Sequence, residues 1–392
     1  MERIKRLAGN VGLLIVAVLI TLAIVEIALR FTPFNKQLEI FELKGYLTGD
    51  NASIYDIVKN YPPATFNFYE MPYTVWSNEL GCYDSPYKGE KDYVLIVGDS
   101  FTWGFTPYER LFPRLIETYT GTRVLKCGVM GYGTKQELMK IKKVTQEVMK
   151  KSNNKPALII TAYFIGNDLV DDLHFYNKTA RKDANSPAQP SFLRRIRRPN
   201  TMVYKHSAIY RLHEFIMDNN KLYRRLKLRL GFHGEYELPF LSPEKYPMLG
   251  KAWEINLENI KQMQLEADAL GAKFVIVLIP TREQVYTFLR PYDLNWVKPN
   301  EILTEFLKKT GIMYLDLTPI FTKYADQTPR ESLNSQRDLY WRHDRHLNLK
   351  GHRLMAISIV KYLLENGLLY TEYPAFVKQT LTHDINQINL NQ

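Results

Sequence analysis

Five short apolar runs of strand length recur along this 392-residue chain, and segments with helical periodicity separate them. The apolar runs are Tyr93–Val97, Arg123–Leu125, Ala157–Ile160, Phe274–Leu278 and Ile312–Leu315. The helical segments are Gln136–Lys151, Ala252–Leu270 and Glu301–Lys309. Runs that are apolar on both faces suit parallel strands, because helices cover both faces of a parallel sheet. The alternation therefore predicts a doubly wound α/β sheet, in which ligands bind at the carboxyl ends of the strands.

Composition places the chain among folded globular proteins. Apolar residues make up 45% and charged residues 24%, far from the composition of disordered chains. The formal net charge of +11 is spread along the sequence, and it favours anionic surfaces such as lipid headgroups or acidic glycans. No nucleic-acid-binding motif accompanies the charge, so we expect no nucleic-acid partner.

The two cysteines, Cys82 and Cys127, are too few for a disulfide scaffold and lack the paired spacing of a structural zinc site. A disulfide between them and a pair of unbonded buried thiols both fit the sequence. A thiol nucleophile at Cys127 is disfavoured, because Ser100, described below, has the better context for a nucleophile.

The amino terminus predicts a membrane anchor. The basic segment Met1–Arg6 precedes an apolar run from Val11 to Val25, which continues through Ile27–Leu29. This length approaches the roughly 20 residues that span a bilayer, and positive residues before the span orient the amino terminus to the cytoplasm. We therefore predict a cytoplasmic tail (1–10), a transmembrane helix (11–31) and an extracytoplasmic remainder. A cleaved signal peptide and a buried soluble helix are the rival interpretations.

The remainder divides into a loop-rich lead-in (32–90), a main α/β domain (91–370) and a tail (371–392). The strand and helix alternation is interrupted at about 172–250 by a basic insertion that we interpret as a helical lid. Its basic runs are Arg194–Arg198 and Lys221–Arg229. Such runs are typical of a solvated helical face, and contact with anionic lipid or glycan is the alternative.

A nucleophile candidate follows the first predicted strand. Ser100 lies in the sequence Gly98-Asp99-Ser100 directly after the apolar run. A serine at a strand-to-helix turn faces the crevice at the sheet edge, and the helix that follows presents backbone N–H groups there. The tripeptide alone is also typical of an ordinary helix cap.

Two later loops are candidates for holding an oxyanion. Gly128–Thr134 follows the second strand and contains three glycines, which let the backbone approach a ligand closely. Asn167 follows the third strand, where its amide can donate to the same developing negative charge.

A base candidate lies near the carboxyl terminus. Serine is unreactive until a base takes its proton, and the usual base is a histidine oriented by a carboxylate. His346 and Asp344 fit these roles, and Asn348 suits the amino-terminal cap of the helix that follows.

Taken in order, these four blocks resemble the SGNH hydrolases, also called GDSL esterases, which are named for a Ser, a Gly, an Asn and a His in separate blocks. The resemblance runs from about Gly81 to the helix after Gly351, without the insertion. It implies a flavodoxin-like three-layer α/β/α sandwich. The residues that match the named four are Ser100, Gly131, Asn167 and His346.

The resemblance also implies roles for these residues. Ser100 is the nucleophile, His346 is the base, and the backbone N–H groups of Ser100 and Gly131 join the Asn167 amide as oxyanion donors. The family usually has its carboxylate three residues before the histidine, where this chain has His343. Membrane-tethered relatives that acetylate exported polysaccharides often have the two-residue spacing, so Asp344 is the predicted third member of the triad.

The leading hypothesis is an extracytoplasmic serine esterase or acyl hydrolase that acts on an acyl ester or on an acylated glycan or lipid. One alternative is an O-acetyltransferase that acts on an exported or envelope glycan. A second alternative is a non-catalytic glycan-binding module or complex subunit. The chemistry requires no cofactor and no metal, and the sequence leaves the oligomeric state open.

Overall fold

The computed structural model describes residues 2–31, 43–68, 70–180, 203, 206–220, 222–223, 225–226, 235–290, 294–330, 332–342, 344–369, 379 and 382–383. The basic run 194–198, His343 and most of the tail 371–392 lie outside these residues. The chain divides into two compact units. The smaller unit comprises Met1–Glu42 and Arg197–Phe232, and the larger comprises Leu43–Ile196 and His233–Gln392.

The larger unit contains nine described strands and nine described α-helices. The strands are β1 (Leu47–Asp50), β2 (Ile54–Ile57), β3 (Ala64–Phe66), β4 (Tyr73–Val75), β5 (Val94–Gly98), β6 (Val124–Lys126), β7 (Leu158–Phe164), β8 (Lys273–Ile279) and β9 (Met313–Asp316). Helices are numbered along the whole chain, and two of them, α1 (Glu2–Arg30) and α6 (Ala208–Asn219), belong to the smaller unit. The helices of the larger unit are α2 (Ser100–Trp103), α3 (Phe112–Thr120), α4 (Thr134–Ser152), α5 (Asp168–Ala180), α7 (Pro247–Leu270), α8 (Arg282–Val285), α9 (Lys298–Thr310), α10 (Thr318–Tyr324) and α11 (Leu349–Glu365).

Five parallel strands form the central sheet in the order β6-β5-β7-β8-β9. This order is that of flavodoxin-like doubly wound sheets. Alternate residues of each strand point to opposite faces, and both faces are buried. Ile96 packs in a core with α3 and α11, whereas its neighbours Leu95 and Val97 pack in a second core with α4 and α7. The predicted α/β fold is confirmed, and each of the five apolar runs coincides with a strand.

The lead-in contains two short antiparallel pairs, β1 with β2 and β3 with β4. Each strand has only three or four residues, which is too short to produce a clear alternation in the sequence. Near the end of the lead-in, Cys82 is joined to Cys127 by a disulfide, which ties the lead-in to the loop that follows β6. Of the two alternatives that the sequence left open, a disulfide and a pair of unbonded thiols, the structure shows the disulfide.

The smaller unit contains α1 (Glu2–Arg30) and α6 (Ala208–Asn219). Within α1, the 22 residues Gly9–Arg30 have a mean hydropathy of 2.8 and are long and apolar enough to cross a membrane, a test that a signal sequence also passes. The segment that forms one compact unit with α1, Arg197–Phe232, is shorter than the predicted insertion at about 172–250. On the amino-terminal side, one reason is that α5 buries Leu173 in the core of the larger unit.

Candidate active site

Ser100 lies where β5 ends and α2 begins, as the sequence predicts. Asp99 caps this short helix, because its carboxylate accepts a hydrogen bond from the Phe101 N–H at 2.8 Å. Ser100 is half-buried, so its hydroxyl lies at the carboxyl edge of the sheet without being sealed from solvent.

The structure brings Ser100, His346 and Asp344 into one hydrogen-bonded chain. The Ser100 Oγ lies 2.8 Å from His346 Nε2. On the other side of the ring, His346 Nδ1 contacts Asp344 Oδ1, and the same oxygen accepts the His346 backbone N–H at 2.8 Å. Because the carboxylate accepts at Nδ1, a neutral imidazole keeps its proton there and presents Nε2 to the serine as an acceptor. The two-residue spacing therefore suffices for Asp344 to orient the ring.

The loop that carries His346 is held at both ends. The backbone N–H of Trp341 donates to the His346 carbonyl at 3.1 Å, and Tyr340 pairs with Leu347 in an isolated β-bridge. Asn348 caps α11 by accepting from two backbone N–H groups at 3.0 Å, and its own amide donates back to the Ser335 carbonyl at 2.8 Å. The predicted cap is confirmed, and it limits the movement of the loop.

Phe105 covers the imidazole of His346. The two rings stack with their centroids 4.1 Å apart and an interplanar angle of 23°. Phe105 is itself held by Trp341, whose indole N–H donates to the Phe105 carbonyl at 3.0 Å. The sequence analysis missed this residue, because a single aromatic after a serine turn is unremarkable until the histidine loop is folded over it.

The glycine loop begins where β6 ends and passes very close to α2. A Cβ at Gly128 would lie 2.5 Å from the Trp103 backbone nitrogen, so only glycine fits. Gly131 has φ +72°, a left-handed conformation that favours glycine, and its N–H donates to no atom of the described residues. The Tyr55 hydroxyl lies 2.8 Å from the Met130 carbonyl and 2.9 Å from the Gly131 carbonyl. Tyr55, from β2, thus fixes the orientation of this loop, and sequence reasoning did not identify it.

Asn167 lies in the turn between β7 and α5. β7 pairs with β5, so the turns carrying Asn167 and Ser100 leave the same edge of the sheet. Its Nδ2 donates one hydrogen to Asp171 Oδ2 at 2.9 Å, which leaves the second hydrogen for another acceptor. Its Oδ1 is buried and has no hydrogen-bond partner among the described residues.

Three buried carboxyl groups, those of Asp99, Glu137 and Asp168, lie behind this edge. Burial raises the pKa of Asp99 to about 6, although the hydrogen bond from the Phe101 N–H opposes the shift. Burial and the neighbouring Asp99 raise the pKa of Glu137 well above its ordinary value, and burial does the same for the pKa of Asp168. Neither Glu137 oxygen has a hydrogen-bond partner in the described part of the chain. Burial thus favours the protonated, neutral form of each of these three carboxyl groups over its charged form.

No group of three or more His, Cys, Asp or Glu side chains suited to a metal ion occurs within the described ranges.

Comparison with known proteins gives matches only among solved structures, since no family model and no curated protein matches the sequence. A GDSL-like lipase from Bacteroides thetaiotaomicron is 13% identical and has a TM-score of 0.34, with 70% of this chain and 89% of that chain covered. An acetylxylan esterase from Geobacillus stearothermophilus is 12% identical and has a TM-score of 0.36, with 70% and 94% covered. An α/β hydrolase from the metagenome of Lake Arreo, Spain, is 12% identical and has a TM-score of 0.37, with 71% and 97% covered.

All three TM-scores are below 0.5, so these structures do not bear on the roles of Ser100, His346 and Asp344.

Proposed function

We propose that this chain is a membrane-anchored serine esterase that hydrolyses acyl esters. The observation that carries the proposal is the 2.8 Å contact between Ser100 Oγ and His346 Nε2, with Asp344 bound to the opposite ring nitrogen. A serine hydroxyl used only as a helix cap needs no imidazole, and here the cap is supplied by Asp99 instead.

In the proposed reaction, Ser100 Oγ attacks the acyl carbon while its proton passes to His346 Nε2. Asp344 stabilises the imidazolium that forms and keeps the ring aligned. The tetrahedral intermediate collapses when the imidazolium gives its proton to the departing alkoxide, which leaves an acyl group on Ser100. Water then attacks this ester while His346 takes a proton from it, and the imidazolium returns that proton to Ser100 Oγ, so the carboxylic acid is released and the free serine is regenerated.

The negative charge of each tetrahedral intermediate is assigned to three donors. They are the backbone N–H groups of Ser100 and Gly131 and the second amide hydrogen of Asn167. Among the described residues, the Gly131 N–H has no acceptor and Asn167 Nδ2 makes a single hydrogen bond, which supports this assignment. A pre-organised donor of this kind contributes about 3 to 4 kcal/mol to transition-state stabilisation.

We further propose that the enzyme works outside the cytoplasm. Positive residues precede the apolar helix Gly9–Arg30, which favours a cytoplasmic amino terminus. The disulfide between Cys82 and Cys127 also supports this location, because disulfides persist in oxidising compartments and are rare in the cytosol.

The proposal is tested by labelling the full chain with a fluorophosphonate probe and by measuring turnover of a short acyl ester. Wild-type protein and Ser152→Ala, which alters a serine at the end of α4, should label and turn over equally. Ser100→Ala should do neither, because it lacks the nucleophile. Labelling or wild-type turnover by Ser100→Ala would refute the assignment.

A further inference from the structure

Glu26 is an acidic residue inside the apolar helix α1, four residues before its last residue. A carboxylate in a membrane span is costly unless it is paired. Among the described side chains of the segment Val11–Arg30, only Glu26 and Leu29 are partly covered, and the others are exposed. The covered face of α1 is therefore a short patch at its carboxyl-terminal end.

The Glu26 carboxylate is paired with the amino terminus of α6, a helix about 180 residues later in the chain. It accepts from the Ser207 hydroxyl at 3.0 Å and from the backbone N–H groups of Ala208 and Ile209 at 2.8 and 3.0 Å. Arg30 also contacts the carboxylate at 3.0 Å, and donates to the His206 carbonyl at 2.7 Å. A carboxylate at this end of a helix satisfies free N–H groups and complements the helix dipole. The end of α1 thus fixes where α6 begins.

The segment from α6 to residue 226, here named the α6 segment, exposes apolar side chains. Leu222 is 77% exposed, Leu226 is 52% exposed and Ile216 is 45% exposed. In the sequence, Tyr223, Arg224 and Arg225 lie between Leu222 and Leu226, and a lysine flanks the leucines on each side, at positions 221 and 227. Apolar side chains together with Tyr and many basic residues are typical of a helix at a membrane surface.

We propose that the α6 segment is a second membrane contact, which lies in the headgroup layer and binds anionic lipids. The argument rests on the proposed anchor. A helix of 22 residues is about 33 Å long, close to the ~30 Å thickness of the hydrocarbon core. Glu26 and Arg30, in the last turns of that helix, therefore lie near the bilayer boundary. Because Glu26 binds the first N–H groups of α6, α6 begins at the same depth.

The test uses the full chain in liposomes, with a single cysteine that carries an environment-sensitive fluorophore. Cys82 and Cys127 are bonded to each other, so an introduced cysteine is the reactive thiol. The probe is placed at Leu222→Cys, in the α6 segment. The control Leu265→Cys carries it on α7, at a leucine that is 50% exposed in the larger unit, and Leu19→Cys carries it in α1. Phospholipids with a nitroxide at a shallow or a deep position act as quenchers.

We expect shallow nitroxides to quench the Leu222→Cys probe at least threefold more than the Leu265→Cys probe. Phosphatidylglycerol in place of part of the phosphatidylcholine should increase this difference, and equal quenching in both lipids would overturn the role of anionic headgroups. A water-exposed Leu222→Cys probe would overturn the proposal. A probe shielded from water but not quenched by lipid would also overturn it, and would indicate a second copy of the chain as the partner. Deep quenching at Leu19→Cys tests the anchor separately.

Glu26 provides the second arm of the experiment. Glu26→Ala removes the acceptor for α6, so shallow quenching at Leu222→Cys should fall toward the value at Leu265→Cys. Glu26→Gln keeps one carbonyl acceptor and should restore part of the quenching. In both variants the Leu19→Cys probe should remain deep, which shows that α1 still inserts. Unchanged quenching at Leu222→Cys in Glu26→Ala would contradict the inferred link between the two helices.

Discussion

Glu137 offers a quantitative test of the electrostatics behind the nucleophile. This residue, in the first turns of α4, is fully buried, and neither carboxyl oxygen has a hydrogen-bond partner in the described chain. Burial, with Asp99 and Asp172 nearby, raises its pKa well above the ordinary value of 4.5. The folded protein therefore keeps a proton on Glu137 at pH values at which the unfolded chain has released it. Glu137→Gln replaces the protonated acid with a neutral group of the same shape.

The sign of the effect follows from proton linkage. A carboxyl group with a raised pKa in the folded state binds more protons there than in the unfolded chain, so the free energy of unfolding falls as pH rises above 4.5. One proton corresponds to about 1.4 kcal/mol per pH unit, so the wild type loses up to about 1.4 kcal/mol for each pH unit over which the folded protein keeps this proton and the unfolded chain does not. Glu137→Gln should avoid this loss. Asp99 and Asp168 interact electrostatically with Glu137, so the difference between the two proteins reports the titration of these three carboxyl groups together.

The assay is urea unfolding of the full chain in detergent, followed by tryptophan fluorescence at pH 5 and pH 7. All five tryptophans are in the larger unit, so the signal reports the unit that contains Glu137. Glu305→Gln, at an exposed position of α9, is the matched control and should differ from wild type equally at both pH values. A stability difference between Glu137→Gln and wild type that does not grow between pH 5 and pH 7 would refute the reasoning.

Three further substitutions test the site and its support. Asp344→Asn should lower kcat for a short acyl ester by about 10⁴-fold, because an amide no longer selects the imidazole tautomer that accepts from Ser100. Activity near the wild-type level would show that Asp344 is not the third member of the triad. Tyr55→Phe should lower kcat about fivefold with little change in KM, because it loses about 1 kcal/mol of hydrogen bonding to the glycine loop. The control Tyr61→Phe loses a hydrogen bond to the Lys44 carbonyl, away from the glycine loop, and should leave kcat unchanged. The double variant Cys82→Ser with Cys127→Ser should lose about 4 kcal/mol of stability in the same urea assay, from the chain entropy of a loop with a sequence separation of 45; a loss below 1 kcal/mol would contradict this estimate.

The sheet could be predicted from the sequence because its strands are apolar on both faces. Ile96 and its neighbour Leu95 enter different cores, so the strand appears in the sequence as an unbroken apolar run. The candidate site followed from the sheet, since the turns after parallel strands meet at one edge. The nucleophile turn, the glycine loop and the Asn167 turn each follow such a strand.

Residues that depend on tertiary contacts could not be predicted in this way. Tyr55 is 75 residues from Met130 in the sequence, and its role is visible only once β2 lies on the glycine loop. Glu137 belongs to a helix with many charged residues, where burial of one acid leaves no mark on the periodicity. Phe105 likewise acquires its contact from the His346 loop, about 240 residues later.

These contacts change how the lead-in is best understood. The sequence analysis separates residues 32–90 from the domain that begins at 91, yet the hairpin β1–β2 is bound to the start of α4 by buried polar groups. Gln136 donates to the Ser53 carbonyl at 2.7 Å, and the fully buried Lys140 pairs with Asp56 at 2.7 Å. Without the hairpin, Lys140 would lose its counter-charge and the Gly131 loop would lose Tyr55. The hairpin is therefore part of the structure that shapes the Gly131 loop, and it belongs to the same compact unit as the sheet, a unit whose first residue is Leu43.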